Sequence, residues 1–90
     1  MLEMHALFYG RVQGVGFRWT IVDHAEKHHL MGTVQNLANG TVEVIAQGSR
    51  DALEAFLASV QTDPGIAALD SIQTTFHQPS HSFTAFHILR

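Results

Sequence analysis

The 90-residue sequence contains no cysteine. Disulfides, thiolate metal sites and a cysteine nucleophile are therefore excluded. Cations are scarce as well: five Lys and Arg stand against eight Asp and Glu, for a formal charge of −3. So few basic groups cannot supply the phosphate contacts that hold a nucleic acid, and no nucleic-acid partner is expected. No apolar run is long enough to cross a bilayer. Met1-Leu2-Glu3-Met4-His5 lacks the basic start and apolar core of a signal peptide. These absences predict a soluble, cytoplasmic domain with no membrane partner. What the chain does have is a hydrophobic content of 46%, enough for one modest core in one domain, residues 1–90.

The elements follow from periodicity. Residues 4–12 alternate as a strand does. From Phe17 the apolar positions Phe17, Ile21 and Ala25 fall four apart, which predicts a helix ending at Leu30-Met31-Gly32 with Gly32 in the C′ role. Thr33–Leu37 and Thr41–Gln47 are short β-type runs around Ala38-Asn39-Gly40, a hairpin signal. A three-residue loop pairs Asn36 with Val42 and Val34 with Val44. It gathers Val34, Val42, Val44 and Ala46 on one face and Gln35 and Glu43 on the other. Burial of a single face favours this register over a two-residue turn, and it places Asn36 on the buried face at a strand end. Asp51 followed by Glu54 imitates a capping box, and Leu53, Phe56, Leu57 and Val60 keep helical spacing up to Asp63-Pro64-Gly65. Ser71–His77 and Phe83–Leu89 read as two further strands.

The order β-α-β-β-α-β plus a short fifth strand predicts a ferredoxin-like α+β sandwich, an antiparallel sheet with both helices on one face. In that topology the first two strands run the same way on either side of the third. Their C-terminal ends share one sheet edge, two strand spacings or about 10 Å apart.

Tyr9-Gly10-Arg11-Val12-Gln13-Gly14-Val15-Gly16-Phe17-Arg18 dominates that edge. Three glycines in seven residues allow a tightly curled turn, and its N–H groups, with those of the helix that follows, form a concavity suited to an anion. Arg18 falls in the first helical turn, where the helix dipole disfavours a cation unless an anion binds there. Better-known glycine motifs do not fit. A nucleotide P-loop needs a Lys, and none occurs in residues 1–26; Gly14-Val15-Gly16 is followed by Phe17-Arg18-Trp19, which breaks a dinucleotide fingerprint. Thr41-Val42-Glu43-Val44-Ile45 lacks the aromatics of an RNA-binding sheet.

Gly10-Arg11-Val12-Gln13-Gly14-Val15-Gly16-Phe17-Arg18 resembles the signature of the acylphosphatases. Gly32-Thr33-Val34-Gln35-Asn36, followed by Asn39-Gly40-Thr41-Val42-Glu43, resembles that family's second motif. The resemblance spans essentially the whole chain. It implies metal-free hydrolysis of acyl phosphates to carboxylate and phosphate, with no cofactor. It also implies the roles: Arg18 binds phosphoryl oxygens, the backbone amides of Gln13, Gly14, Val15, Gly16, Phe17 and Arg18 cradle them, and Asn36 holds the attacking water. The chemistry suits so spare a site, because phosphoryl transfer needs alignment and charge stabilisation more than covalent help. A carboxylate leaves without a general acid. Two other readings stay open: a phosphate-binding module without turnover, and a regulatory domain of a larger carbamoyl-handling enzyme. The initiator Met and complete element set favour a free-standing protein, and a monomer is expected.

Among the seven histidines, His24 and His28 lie i, i+4 on one helix face. Spacing indicates no third ligand, so a structural role is expected and no metal site is assigned. Phe17 and Trp19 are expected to pack in the core or against the loop.

Overall fold

The computed structural model describes all 90 residues. Its elements are β1 (Leu2–Arg11), α1 (Phe17–Lys27), β2 (Met31–Asn36), β3 (Val42–Gly48), α2 (Arg50–Thr62), β4 (Ala68–His77) and β5 (Phe86–Ile88). The sheet order is β4-β1-β3-β2-β5. β1, β2, β3 and β4 pair antiparallel, and β5 adds a short parallel edge beside β2. This is the expected ferredoxin-like sandwich.

Alternation along the strands decides which face is covered. Met4, Ala6 and Phe8 of β1 and Val42, Val44 and Ala46 of β3 are fully buried, and they meet Phe17, Ile21 and Ala25 of α1 and Leu53, Phe56 and Val60 of α2. The Phe8 and Phe17 rings meet edge to face at 5.4 Å, fixing the start of α1 over the end of β1. Val34 pairs with Val44 and Asn36 with Val42, the register expected from one-face burial.

Local details depart from the sequence-based expectations at several points, the fourth strand beginning at Ala68 and the fifth covering only Phe86–Ile88 among them. First, α1 ends at Lys27, and the C′ role falls to His29 at φ 58° instead of Gly32. The His29 N–H donates to the Glu26 carbonyl and the Leu30 N–H to the Ala25 carbonyl, a complete Schellman closure. Second, Gly32 lies within β2 at φ 152°, where an added Cβ would come within 1.8 Å of the Ile45 carbonyl oxygen. A close approach of backbones, and not a helix stop, requires glycine there. Third, the cap of α2 is Ser49, whose Oγ accepts from the Ala52 N–H at 3.1 Å; Asp51 is already inside the helix. Fourth, Trp19 is 67% exposed on the first turn of α1 and does not join the core. Phe17, two residues earlier, takes the buried place.

Gly10 also sits apart from the loop. It lies in β1 at a bulge against β4, where the register shifts between Tyr9 and Gly10 and a Cβ would meet the Ala68 carbonyl oxygen at 2.2 Å. The curled segment is therefore residues 12–16, with two glycines and not three.

Candidate active site

The loop after β1 turns on Gly14 at φ 75° and Gly16 at φ 74°. A Cβ at either would meet nothing within 4 Å, so backbone conformation, not space, selects glycine. Gly16 is the N-cap of α1, with no side chain capping the helix and no acidic residue in its first turn. None of the backbone N–H groups of residues 13–16 donates to another group of the chain. The first N–H groups of α1 likewise have no intrahelical acceptor. The segment thus presents a row of free donors with the positive end of α1 behind it.

Arg18 is half-buried on this first turn. The chain's ion pairs join other groups: Lys27 with Asp23, Arg50 with Glu54, and two histidines with glutamates. No carboxylate neutralises Arg18. A cation on the first turn stands against the helix dipole, and an anion bound there would offset that cost.

Asn36 ends β2 on the helix-covered side, at the same sheet edge as the loop. Its Oδ1 is buried, and no donor of the chain reaches it. An acceptor held this way costs about 1–3 kcal/mol. Unprotonated phosphoryl oxygens are acceptors and cannot satisfy it; the partner it lacks is a hydrogen-bond donor.

One contact was not legible in the sequence. The Gln13 Nε2 group donates to the Leu37 carbonyl at 2.8 Å and to the Thr41 carbonyl at 2.9 Å. Leu37 and Thr41 also close the β2–β3 hairpin, with the Leu37 N–H donating to the Thr41 carbonyl at 2.9 Å. The Asn39 Oδ1 accepts from the Thr41 N–H and Oγ1, which fixes the turn. One side chain of the loop therefore holds the hairpin that carries Asn36. The sequence shows Gln13 only as a polar residue beside a glycine. Its partners lie 24 and 28 positions away.

The histidines fall elsewhere. His24 is buried, with Nε2 2.8 Å from the Asp63 carbonyl oxygen, so it joins α1 to the end of α2. On the sheet face opposite the helices, His5 Nε2 lies 2.7 Å from Glu43 Oε2, and the Gln35 amide donates to the same carboxylate. The hydrogen bond from His5 outweighs burial and, with that from Gln35, holds the Glu43 carboxyl below its ordinary range. Glu3 is similarly placed between Gln47 and His77. Burial raises its carboxyl, but the hydrogen bonds from Gln47 and His77 and the charges of His77 and His81 together bring it below the ordinary value.

Fold and edge define a ferredoxin-like domain that offers an anion a glycine loop, a helix N-terminus and an unpaired arginine. A family model described as Acylphosphatase matches residues 4–88. The acylphosphatase of Thermococcus kodakarensis is 37% identical over 78 residues, 87% of this chain and 86% of that protein. The crystal structure of Bacillus subtilis acylphosphatase superposes with a TM-score of 0.94 at 33% identity, covering all of both chains. T. kodakarensis HypF contains a similar region, with a TM-score of 0.88 and 29% identity over 99% of this chain but 12% of that one. The chain belongs to the acylphosphatase family. It is an enzyme of that family, and its general reaction is hydrolysis of acyl phosphates. No helix is long and apolar enough to cross a membrane.

Proposed function

We propose that residues 13–18 and Asn36 divide the hydrolysis of an acyl phosphate between them. The phosphoryl group sits in the loop, bonded by the N–H groups of Gln13, Gly14, Val15, Gly16, Phe17 and Arg18. The Arg18 guanidinium offers its fixed donor fork to two phosphoryl oxygens. Asn36 Oδ1 accepts a hydrogen bond from a water molecule and aims its oxygen at phosphorus. As the water oxygen bonds to phosphorus, the bond from phosphorus to the acyl oxygen breaks, and the carboxylate departs with the electron pair. No histidine stands in either motif, and the one carboxylate there, Glu43, is held by His5 and Gln35 on the sheet face opposite the helices, so the water proton passes to a phosphoryl oxygen of the substrate. The donors are in place before charge builds, which is where such a site gains its rate.

The observation that carries this reading is the buried, unpartnered Asn36 Oδ1 at the edge where Arg18 also lacks a partner. The reading assigns no metal and no cofactor, and its setting is a cytoplasmic monomer. Hydrolysis of benzoyl phosphate in EDTA tests it. Turnover undiminished by the chelator is expected; activity that appears only when zinc or magnesium is restored would overturn it.

A further inference from the structure

On that reading of the site, we infer that Gln13 is a positioning residue that couples phosphate binding to water placement. The loop and Asn36 belong to segments joined by nothing in the local sequence. The sheet sets Phe8 and Asn36 on either side of Val42, but the loop beyond β1 must still be held against the hairpin by a contact of its own, and an error of about 1 Å in such a site costs on the order of a hundredfold in rate. The two N–H bonds of one Gln13 amide supply that contact, one to each side of the hairpin mouth.

The geometry makes the coupling specific. Leu37 directly follows Asn36, and Thr41 directly precedes Val42, the residue paired with Asn36. The Thr41 carbonyl accepts from both Gln13 Nε2 and the Leu37 N–H, so loop and hairpin share one acceptor. Thr41 is buried and Leu37 half-buried, so water is a poor substitute for the lost donor. A phosphoryl group that orders the loop through the Gln13 backbone thereby fixes the Gln13 side chain and, through Leu37, the neighbouring Asn36. Binding the phosphate and aiming the water become one event.

Two variants test this. Gln13→Met keeps length but donates nothing. Gln13→Glu cannot donate as a carboxylate but regains one O–H donor when protonated. For benzoyl phosphate, Gln13→Met is expected to lower kcat ten- to a hundredfold while KM and the inhibition constant of inorganic phosphate change less than about threefold. The kcat of Gln13→Glu relative to wild type is expected to rise as pH falls from 7 to 4.5, and that of Gln13→Met to stay flat. A purely structural glutamine would give neither the kcat-only loss nor the acid recovery. Equal losses in kcat and phosphate binding, a wild-type kcat in Gln13→Met, or no acid recovery would each overturn the inference. Amide exchange at Leu37 reads the same tie without turnover. Faster exchange is expected in Gln13→Met, and unchanged protection would overturn the coupling even if the wild-type protein proved inactive on acyl phosphates.

Discussion

Asn36 stands opposite Val42 in the β2–β3 ladder, so its amide emerges on the helix-covered face with an oxygen that no donor of the chain satisfies. Asn36→Ala removes the unpaired acceptor at little cost in packing. The free energy of unfolding is expected to hold or rise by up to about 1 kcal/mol, while turnover falls at least tenfold. Urea unfolding and a hydrolysis assay on the same preparation check this. A loss of stability of about 1 kcal/mol or more would make Asn36 a structural residue.

The two ends of the α1–β2 connection give a paired test of backbone strain. His29 occupies a left-handed conformation that suits glycine, so His29→Gly is expected to stabilise the fold by about 1 kcal/mol. Gly32→Ala drives a Cβ into the Ile45 carbonyl across the ladder. It is expected to cost more than about 3 kcal/mol or to prevent folding, since only backbone is available to move. If both variants shift the thermal midpoint by similar small amounts, the assignment of roles to His29 and Gly32 fails.

Acid stability follows from the sheet face opposite the helices. Glu3 and Glu43 are both held below the ordinary carboxyl value in the folded state. Folded carboxyls with lowered pKa bind fewer protons than the unfolded chain does, so their contribution is complete above the unfolded value near pH 4.3. It is lost as pH falls through the folded values. The urea midpoint is expected to drop steeply below about pH 4.5. The double variant Glu3→Gln, Glu43→Gln is expected to be less stable at pH 6 and to lose less on acidification. Parallel pH profiles for the two proteins would contradict the account.

The sequence made legible what periodicity controls. The register of the β2–β3 hairpin followed from burying Val34, Val42, Val44 and Ala46 together, and that register put Asn36 on the covered face. The loop was legible because glycine and a first-turn arginine announce an unusual backbone and an uncompensated charge. What stayed hidden depends on distant partners. Gln13 reaches across to Leu37 and Thr41, and the roles of Gly10 and Gly32 are set by the carbonyls of Ala68 and Ile45 on neighbouring strands. Trp19, expected in the core or against the loop, is instead turned outward on the first turn of α1. Ser49 and Asp51 both suit a cap; only the hydrogen bond to Ala52 distinguishes them.

In the proposed mechanism Arg18 and the loop bind the phosphoryl group, and Asn36 places the water. Comparing Arg18→Gln with Asn36→Ala tests it most directly, with kcat for benzoyl phosphate and the inhibition constant of inorganic phosphate measured for each. Arg18→Gln is expected to weaken phosphate binding about a hundredfold, as loss of a charge-assisted fork should, and to abolish turnover with it. Asn36→Ala is expected to bind phosphate as the wild type does and to lose turnover. If Asn36→Ala weakens phosphate binding as much as Arg18→Gln does, Asn36 belongs to the phosphate cradle and the proposed water has no holder.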